Sequence, residues 1–431
     1  MKRASRALAA LLVSSSLAYG VASRAEPVDP AFPTVVTVGA PDTPASVDRL
    51  VRNRTSRSTA SLPSQFVEAE RHNLGAIGHP PVVHPDGTLT IALTSPELVR
   101  VGADGKELAR IQLGSAAAVR SPVVLPNGSL AVLTGAPSVV FVSTTNKVTA
   151  TIALPRASFG ATSPSSGFTE GIASIVPTED GAVAVASNRS LLEVDASSRV
   201  RMKVTLPERL ASDVLPHDGG YLVAGESGTV FRVKPPAEPR KIGTFGSLIG
   251  GTVALVDDRT VVGQASPNRL VALDLKSGTA VTRVGDSIFA FFDAPAAYGA
   301  AGETWLTTGE GFLVGYDATG AEIARTPADR SAALPGGGPM FPPSRQPMPM
   351  PMPNGSARVA PVVDGAGRVA FARQNGRFGV RDEQGKVNAT DRGCSAPIAI
   401  VPVADGKVVL ACRDGTLVTY QEAKPAEKAA P

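Results

Sequence analysis

The sequence predicts an all-β protein, an eight-bladed β-propeller of four-stranded blades closed by an N-terminal strand that completes the last blade. Three observations predict it. Strand-like runs of alternating apolar and polar residues are divided by Asp-Gly turns, and the unit they form recurs at a spacing near 39 residues. The last copy is also one strand short, while an unassigned strand precedes the first copy. A seven-bladed ring with one degenerate repeat is the runner-up, and an open β-solenoid or split sandwich is a more distant alternative.

From the N-terminus, "MKRASRALAALLVSSSLAYGVASRA" sets Lys2, Arg3 and Arg6 ahead of an apolar run from Ala7 to Leu17, with small residues before Ser23-Arg24-Ala25. Residues 1–25 are expected to be a secretory signal peptide, because the apolar run is too short to span a bilayer and ends in an A-x-A-like cleavage site. No cysteine precedes Cys394, so the residue that a bacterial lipoprotein acylates is absent. The expected location is the periplasm or the exterior, with no integral membrane segment after cleavage. Lys2, Arg3, Arg6 and Arg24 go with the leader, and taking those four from the 42 Lys and Arg leaves them equal to the 38 Asp and Glu. Nucleic-acid binding and a polybasic membrane patch both need uncompensated positive charge, so both classes are excluded.

Residues 26–64 are rich in Pro, Ser, Thr and Arg without sustained periodicity, and residues 422–431 form a Lys, Ala, Glu and Pro tail. Both are expected to be disordered for want of apolar surface to bury. That leaves residues 65–421 for one propeller domain.

The template is "DGTLTIALTSPELVRVGADGKELARIQLG", in which Leu89, Ile91 and Leu93 alternate with Thr88, Thr90 and Thr94, giving a strand two different faces. Second strands of successive units start near Thr88, Ser129, Ala182, Tyr221, Thr260, Thr304, Arg368 and Lys407, at spacings of 41, 53, 39, 39, 44, 64 and 39 residues. The eighth unit holds only Pro397 to Pro402, Lys407 to Arg413 and Thr416 to Gln421. The run Ser64 to Gly75 matches the fourth strands in length and in its Leu-Gly ending, so it is expected to pair beside Thr416 to Gln421. Such closure removes two exposed sheet edges.

The spacings of 53 and 64 mark two insertions, Arg156 to Gly171 and a Pro/Met-rich loop at residues 328–356. Both fall between the fourth strand of one blade and the first of the next, on the face that propellers commonly use for binding. The Pro-Met alternation at Pro347 to Pro353 suits an extended docking arm or a low-complexity loop. Copper(I) binding by Met348, Met350 and Met352 is a remote alternative, since no His accompanies them. Cys394 precedes the first strand of the last blade and Cys412 ends the second, which puts both at one end of antiparallel neighbours. A structural disulfide is expected, with two buried free thiols as the alternative.

"NRLVALDLKSGTAVTR" (Asn268 to Arg283) and "GFLVGYDATGAEIAR" (Gly311 to Arg325) resemble the pyrroloquinoline-quinone-type propeller repeat. That family includes quinoprotein dehydrogenases and non-catalytic exported scaffolds of the BamB-like outer-membrane assembly kind. The family places a Trp four residues after the turn Gly, where this chain has Ala109, Ala150, Thr282, Ala324 and Ala389. Its dehydrogenases also stack the quinone against a disulfide of adjacent cysteines, which this chain lacks. The resemblance therefore implies the scaffold branch, with no cofactor and another exported or envelope protein as partner.

The four histidines, His72, His79, His84 and His217, form no metal or catalytic motif, and neither a nucleophile elbow nor a phosphate-binding loop occurs. His84 and His217 fall in turns, where a solvated polar residue is ordinary. What remains is a set of polar residues just before first strands: His79, Arg120, Glu170, Asp213, Asp293 and Arg358. First strands line a propeller's channel, so these gather at its mouth and are the candidate ligand- or partner-binding residues; a merely solvated rim is the alternative. No catalytic residue and no metal ligand is assigned. The expected function is an exported binding or assembly scaffold, and the alternative is a quinoprotein-like oxidoreductase or a channel-sited hydrolase or lyase.

Overall fold

The structure is a computed structural model that describes residues 56–155, 174–197, 199–234, 236–246, 248–265, 269–284, 295–308, 311–328 and 359–423. The chain divides into units Met1–Ala31 and Phe32–Pro431, and all described residues belong to the second. They form eight four-stranded antiparallel sheets and no helix, an eight-bladed β-propeller. The first blade runs Val82–Val83, Leu89–Ala92, Glu97–Val101 and Glu107–Gln112, in that spatial order. Six more blades repeat this order, ending with Val362–Val363, Val369–Ala372, Phe378–Arg381 and Val387–Thr390. Second strands start within one residue of the positions expected from the repeat.

Tight turns set this meander. Gly87 and Gly105, at φ 77° and 80°, take the left-handed conformation that the hairpin turns need, and their amides bond back to His84 and Gly102 carbonyls at 2.9 Å. In the repeat "ALDLKSG", Asp274 Oδ1 accepts from the Lys276 and Ser277 amides at 3.0 and 2.6 Å, so the acid of that motif caps its own turn.

Alternation along each strand selects which neighbour a side chain meets, because both faces of a blade are covered. Val83, Leu89, Ile91 and Val99 pack with the eighth blade, whereas Val82, Ala92 and Leu98 pack with Val124, Leu130 and Val132 of the second. Inner strands are accordingly buried on both faces, Thr90 included. Fourth strands face outward, and seven of the eight carry a one-residue irregularity in pairing with the third. Such bulges twist an edge strand away from sheet-to-sheet association.

The eighth blade is composite. Pro397–Ala404, Lys407–Cys412 and Thr416–Glu422 are completed on the outside by Phe66–Asn73, in register from Phe66 opposite Glu422 to Asn73 opposite Thr416. Cys394 and Cys412 form the expected disulfide across this blade, with Cα atoms 6.0 Å apart.

Residues 56–64 differ from the linker expected there. They are an ordered strap, because their polar backbone finds fixed partners and one large side chain finds a core. Arg57 forms a parallel bridge with Val363, in which the Ser58 amide donates to Val363 O at 2.7 Å and the Val363 amide to Ser56 O at 3.2 Å. Leu62 is fully buried; its amide donates to Asp364 Oδ2 at 2.8 Å and its carbonyl accepts from the Arg368 guanidinium. Ser61 donates twice to Asp405, at 2.9 Å from both its amide and its hydroxyl, and these bonds hold that carboxyl below its usual range. Ser64 closes the strap on Glu422 with two bonds of 2.8 Å. The segments assigned to a leader and to the first part of the linker, residues 1–55, lie outside the described residues, as does the tail from 424 onward.

Candidate functional site

The strand order gives the propeller two chemically different faces. Turns between first and second and between third and fourth strands lie on one, the turn face, and the strap crosses it at Asp364 and Asp405. Loops between second and third strands, and every passage from one blade to the next, lie on the other, the connection face. Both long insertions interrupt the connection face, one between Val148–Ala153 and Ser174–Pro177, the other between Glu322–Pro327 and Val362–Val363. Ala328, placed in the second insertion by the sequence, is fully buried against Trp305 and Phe371 and belongs to the blade core.

Of the six rim candidates, His79, Arg120 and Asp213 are described, each half-buried just before the first strand of its blade. Glu170, Asp293 and Arg358 lie outside the described residues. His79 and Arg120 come from neighbouring blades, and His79 Nε2 lies 3.1 Å from Ala118 O, two residues before Arg120. Asp213 stands on the fourth blade beside Ser212, whose hydroxyl donates to Asp213 O at 3.0 Å and accepts from the Ala224 amide at 3.1 Å. The next amide, Val214, donates to Ser174 Oγ of the third blade at 3.0 Å. Hydrogen bonds between adjacent blades thus stiffen the mouth at two places.

Histidines repeat this role elsewhere. His72 Nε2, on the N-terminal strand, meets Asp104 O of the first blade and Glu70 Oε2, both at 3.0 Å. His217 Nε2 meets Asp258 O of the fifth blade at 2.8 Å. His84 corrects the expectation of a solvated turn residue: it is 2% exposed and shares a 2.7 Å hydrogen bond with Thr90 Oγ1. Its ring is turned onto the second strand of its own blade, where Thr90 is buried as well. Burial pushes the His84 imidazole down to about 4, and the Arg100 charge adds to that.

Sequence reasoning missed an arginine-lined cleft at the periphery of the connection face. A cavity of about 410 Å³ is lined by Arg377, Ala389, Thr390, Asp391 and Arg392. Arg377 donates to Asp391 Oδ1 at 3.0 Å, and Arg71 crosses from the N-terminal strand to donate to Arg392 O at 2.6 Å and Gly393 O at 3.2 Å. Arg71 also donates to both oxygens of Glu68 at 2.9 Å, so two of the three guanidiniums already hold carboxylates of this chain, the pairing that such groups suit. The signal in the sequence was an arginine just before the third strand and another just after the fourth, obscured because Arg377 and Arg392 stand fifteen residues apart in different loops.

Turn acids are occupied locally. Asp317 Oδ1 accepts from the Thr319 hydroxyl and the Thr319 and Ala321 amides at 2.7, 2.8 and 2.9 Å, which holds its carboxyl below the usual range. The Ser197 hydroxyl, the Arg199 amide and the Arg201 guanidinium do the same for Asp195. Among the described residues no three His, Cys, Asp or Glu side chains gather as a metal would require.

The five positions where quinone-type repeats carry Trp lie opposite third strands as Ala or Thr. In the sixth and seventh blades bulk comes from the second strand instead. Trp305 stands across from Gly315, where a Cβ would come within 2.6 Å of the indole, and Phe371 stands across from Gly379 in the same way. In these two blades the aromatic stands two strands inward of that position, and third-strand glycines make room for it.

No known family profile and no curated protein matches the sequence. Among solved structures, the chain is similar to the computationally designed Ika8 protein, at TM-score 0.58 and 13% identity over 82% of this chain and 98% of that one. It is also similar to virginiamycin B lyase from Staphylococcus aureus, at 0.45 and 12% over 83% of this chain and 100% of that one. A third, BamB from Moraxella catarrhalis, gives 0.43 and 12% over 85% and 92%. At these identities the likeness to Ika8 speaks to the fold alone.

Proposed function

We propose that this chain is an exported, non-enzymatic scaffold that binds a protein or polar ligand through its connection face. The observation that carries this is the asymmetry of the two faces. Tight turns and the strap commit the turn face to the fold, whereas the strand ends that flank both insertions, the rim residues His79, Arg120 and Asp213, and the arginine cleft lie on the connection face. Glu170, Asp293 and Arg358 precede the first strands of their blades in the sequence. The partner would be another exported or envelope protein, and the cleft of Arg377 and Arg392 would take an acidic side chain or terminus from it. Export is supported by the leader-like residues 1–25 and by the Cys394–Cys412 disulfide, a bond at home in an oxidising compartment.

Crosslinking in the exporting cell, followed by mass spectrometry, tests this with four forms of the protein. Wild type and an Asp218→Ser change on the turn face should capture the same partner. Deletion of residues 329–356, or Arg377→Ser with Arg392→Ser, should lose it. Retention of the partner by both connection-face variants would reject the surface. Redox turnover on reconstitution with quinone and calcium would reject the scaffold itself.

A further inference from the structure

We propose that the outer edge of the seventh blade docks the C-terminal tail of a partner protein, which adds as a fifth strand with its terminal carboxylate in the arginine cleft. This rests on the scaffold reading and names the contact it would use. The other seven outer strands carry an irregularity in pairing with the third strand. Val387–Thr390 pairs without one, from Phe378 opposite Thr390 to Arg381 opposite Val387. Its sequence, Val-Asn-Ala-Thr, is also uncharged, as is that of Val148–Ala153, while the remaining six outer strands hold Lys, Arg or Glu. Bulges and charges are two of the devices that keep an edge strand from pairing, and here both are missing. The ladder fixes which groups are on offer. At the hairpin the Asp382 amide donates to Lys386 O at 2.9 Å. Bonded and non-bonded pairs alternate from there, so Asn388 and Thr390 turn N–H and C=O to the third strand, and Val387 and Ala389 turn theirs outward. Among the described residues no hydrogen bond from outside the sheet reaches the backbone of Val387 or Ala389.

This edge leads into the cleft. Ala389 and Thr390 line the cavity, Asp391 and Arg392 continue it, and Arg377 reaches it from just before the third strand. Side chains of an added strand stand above and below the sheet, so what arrives beyond its end is main chain. A tail running parallel to Val387–Thr390 therefore delivers its terminal carboxylate to the arginines. Donors remain for it. The exposed Arg392 guanidinium makes no hydrogen bond among the described residues, and its charge reaches Glu68 without a bond to it. Arg377 spends one Nη on Asp391 and keeps a buried Nε that has no acceptor. Main-chain pairing would supply affinity with little regard to sequence, and the carboxylate would set the register.

A display library of random peptides with free C-termini, panned on the full chain, tests this. Enriched peptides should bind by fluorescence anisotropy, and at least ~10-fold more weakly as C-terminal amides, because a charge-assisted pair is lost. Arg392→Gln should bring the acids down to the level of the amides and leave the amides unchanged. N-methylation at alternate peptide residues should abolish binding, and at the residues between should spare it. Ala389→Pro blocks an outward N–H without touching the bonds to the third strand, and should bind none of the peptides. Equal affinity of acid and amide, indifference to the position of the N-methyl group, or a library that yields no binder would overturn the proposal. A partner still captured in the cell by wild type and lost on deletion of residues 329–356 would then keep the scaffold reading while this contact falls.

Discussion

The eighth blade and the seven others reach the same four-stranded sheet by opposite routes. In the seven, each strand pairs with its neighbour in sequence, and hairpin turns of a few residues set the register. The eighth must hold residues 358 positions apart, as Ser64 and Glu422 are, and it carries three devices for doing so. The disulfide ties its first strand to its second. The strap reaches over to the sixth and seventh blades. Phe378 stacks on Tyr420 at 4.6 Å, with Phe66 set against both at 5.0 and 5.1 Å, the ring pairs found among the described residues. Elsewhere the interfaces are mainly Val, Leu, Ile and Ala. Local pairing needs little beyond alternation and turns, whereas closure over a long loop carries an entropic cost that specific contacts have to offset.

Removing residues 56–73 should erase that difference with the largest effect. It exposes the edge of Thr416–Glu422 and uncovers the Leu62 site, so cooperative thermal unfolding should give way to a broad, early transition with aggregation. A single sharp transition at the wild-type temperature would show that the eighth blade does not limit the ring. Next, Leu62→Ala should cost about 3–4 kcal/mol in urea melts, as for other buried leucines. A loss under about 1 kcal/mol would mean that the strap is held by its hydrogen bonds alone. Opening the disulfide with Cys394→Ala and Cys412→Ala should cost about 2–3 kcal/mol, given the short loop it closes.

The smallest effect compares equivalent hairpin positions of the first and seventh blades. Asp364 in the seventh is buried and bonded by the strap; His84 in the first is buried without one. Between the ordinary histidine value of 6.5 and about 4, the unfolded chain takes up a proton that the folded imidazole refuses. Stability therefore falls as pH drops through that window, by about 2 kcal/mol between pH 7.5 and 5. Asp86, whose carboxyl lies below its usual value, stays ionised across that range. His84→Gln should flatten that slope in urea melts at each pH, and an unchanged slope would assign the acid sensitivity elsewhere.

Blade number, strand order, the N-terminal closing strand and the disulfide were all legible in the sequence, because each rests on alternation or on turn residues that act locally. The strap was not. Nothing periodic marks residues 56–64; their order comes from Asp364, Asp405 and Glu422, each more than 300 positions away. Burial of His84 was hidden too, since turn residues say nothing of a ring folded back onto Thr90. At the channel mouth, the sequence placed His79 before a first strand, and the 3.1 Å contact with Ala118 O is a fact of blade spacing that no single strand encodes. The cleft of Arg377 and Arg392 joins two loops across one blade and likewise has no linear signature.

Synthesis runs from the end that must wait. Phe66–Asn73 is made before any blade, yet its partner Thr416–Glu422 is the last strand to emerge. Seven sheets can assemble one after another while the first-made strand stays unmatched, and only a ribosome that reads through to Glu422 supplies the mate. A chain cut short anywhere before Thr416 leaves Phe66–Asn73 without its mate and the ring without its eighth sheet.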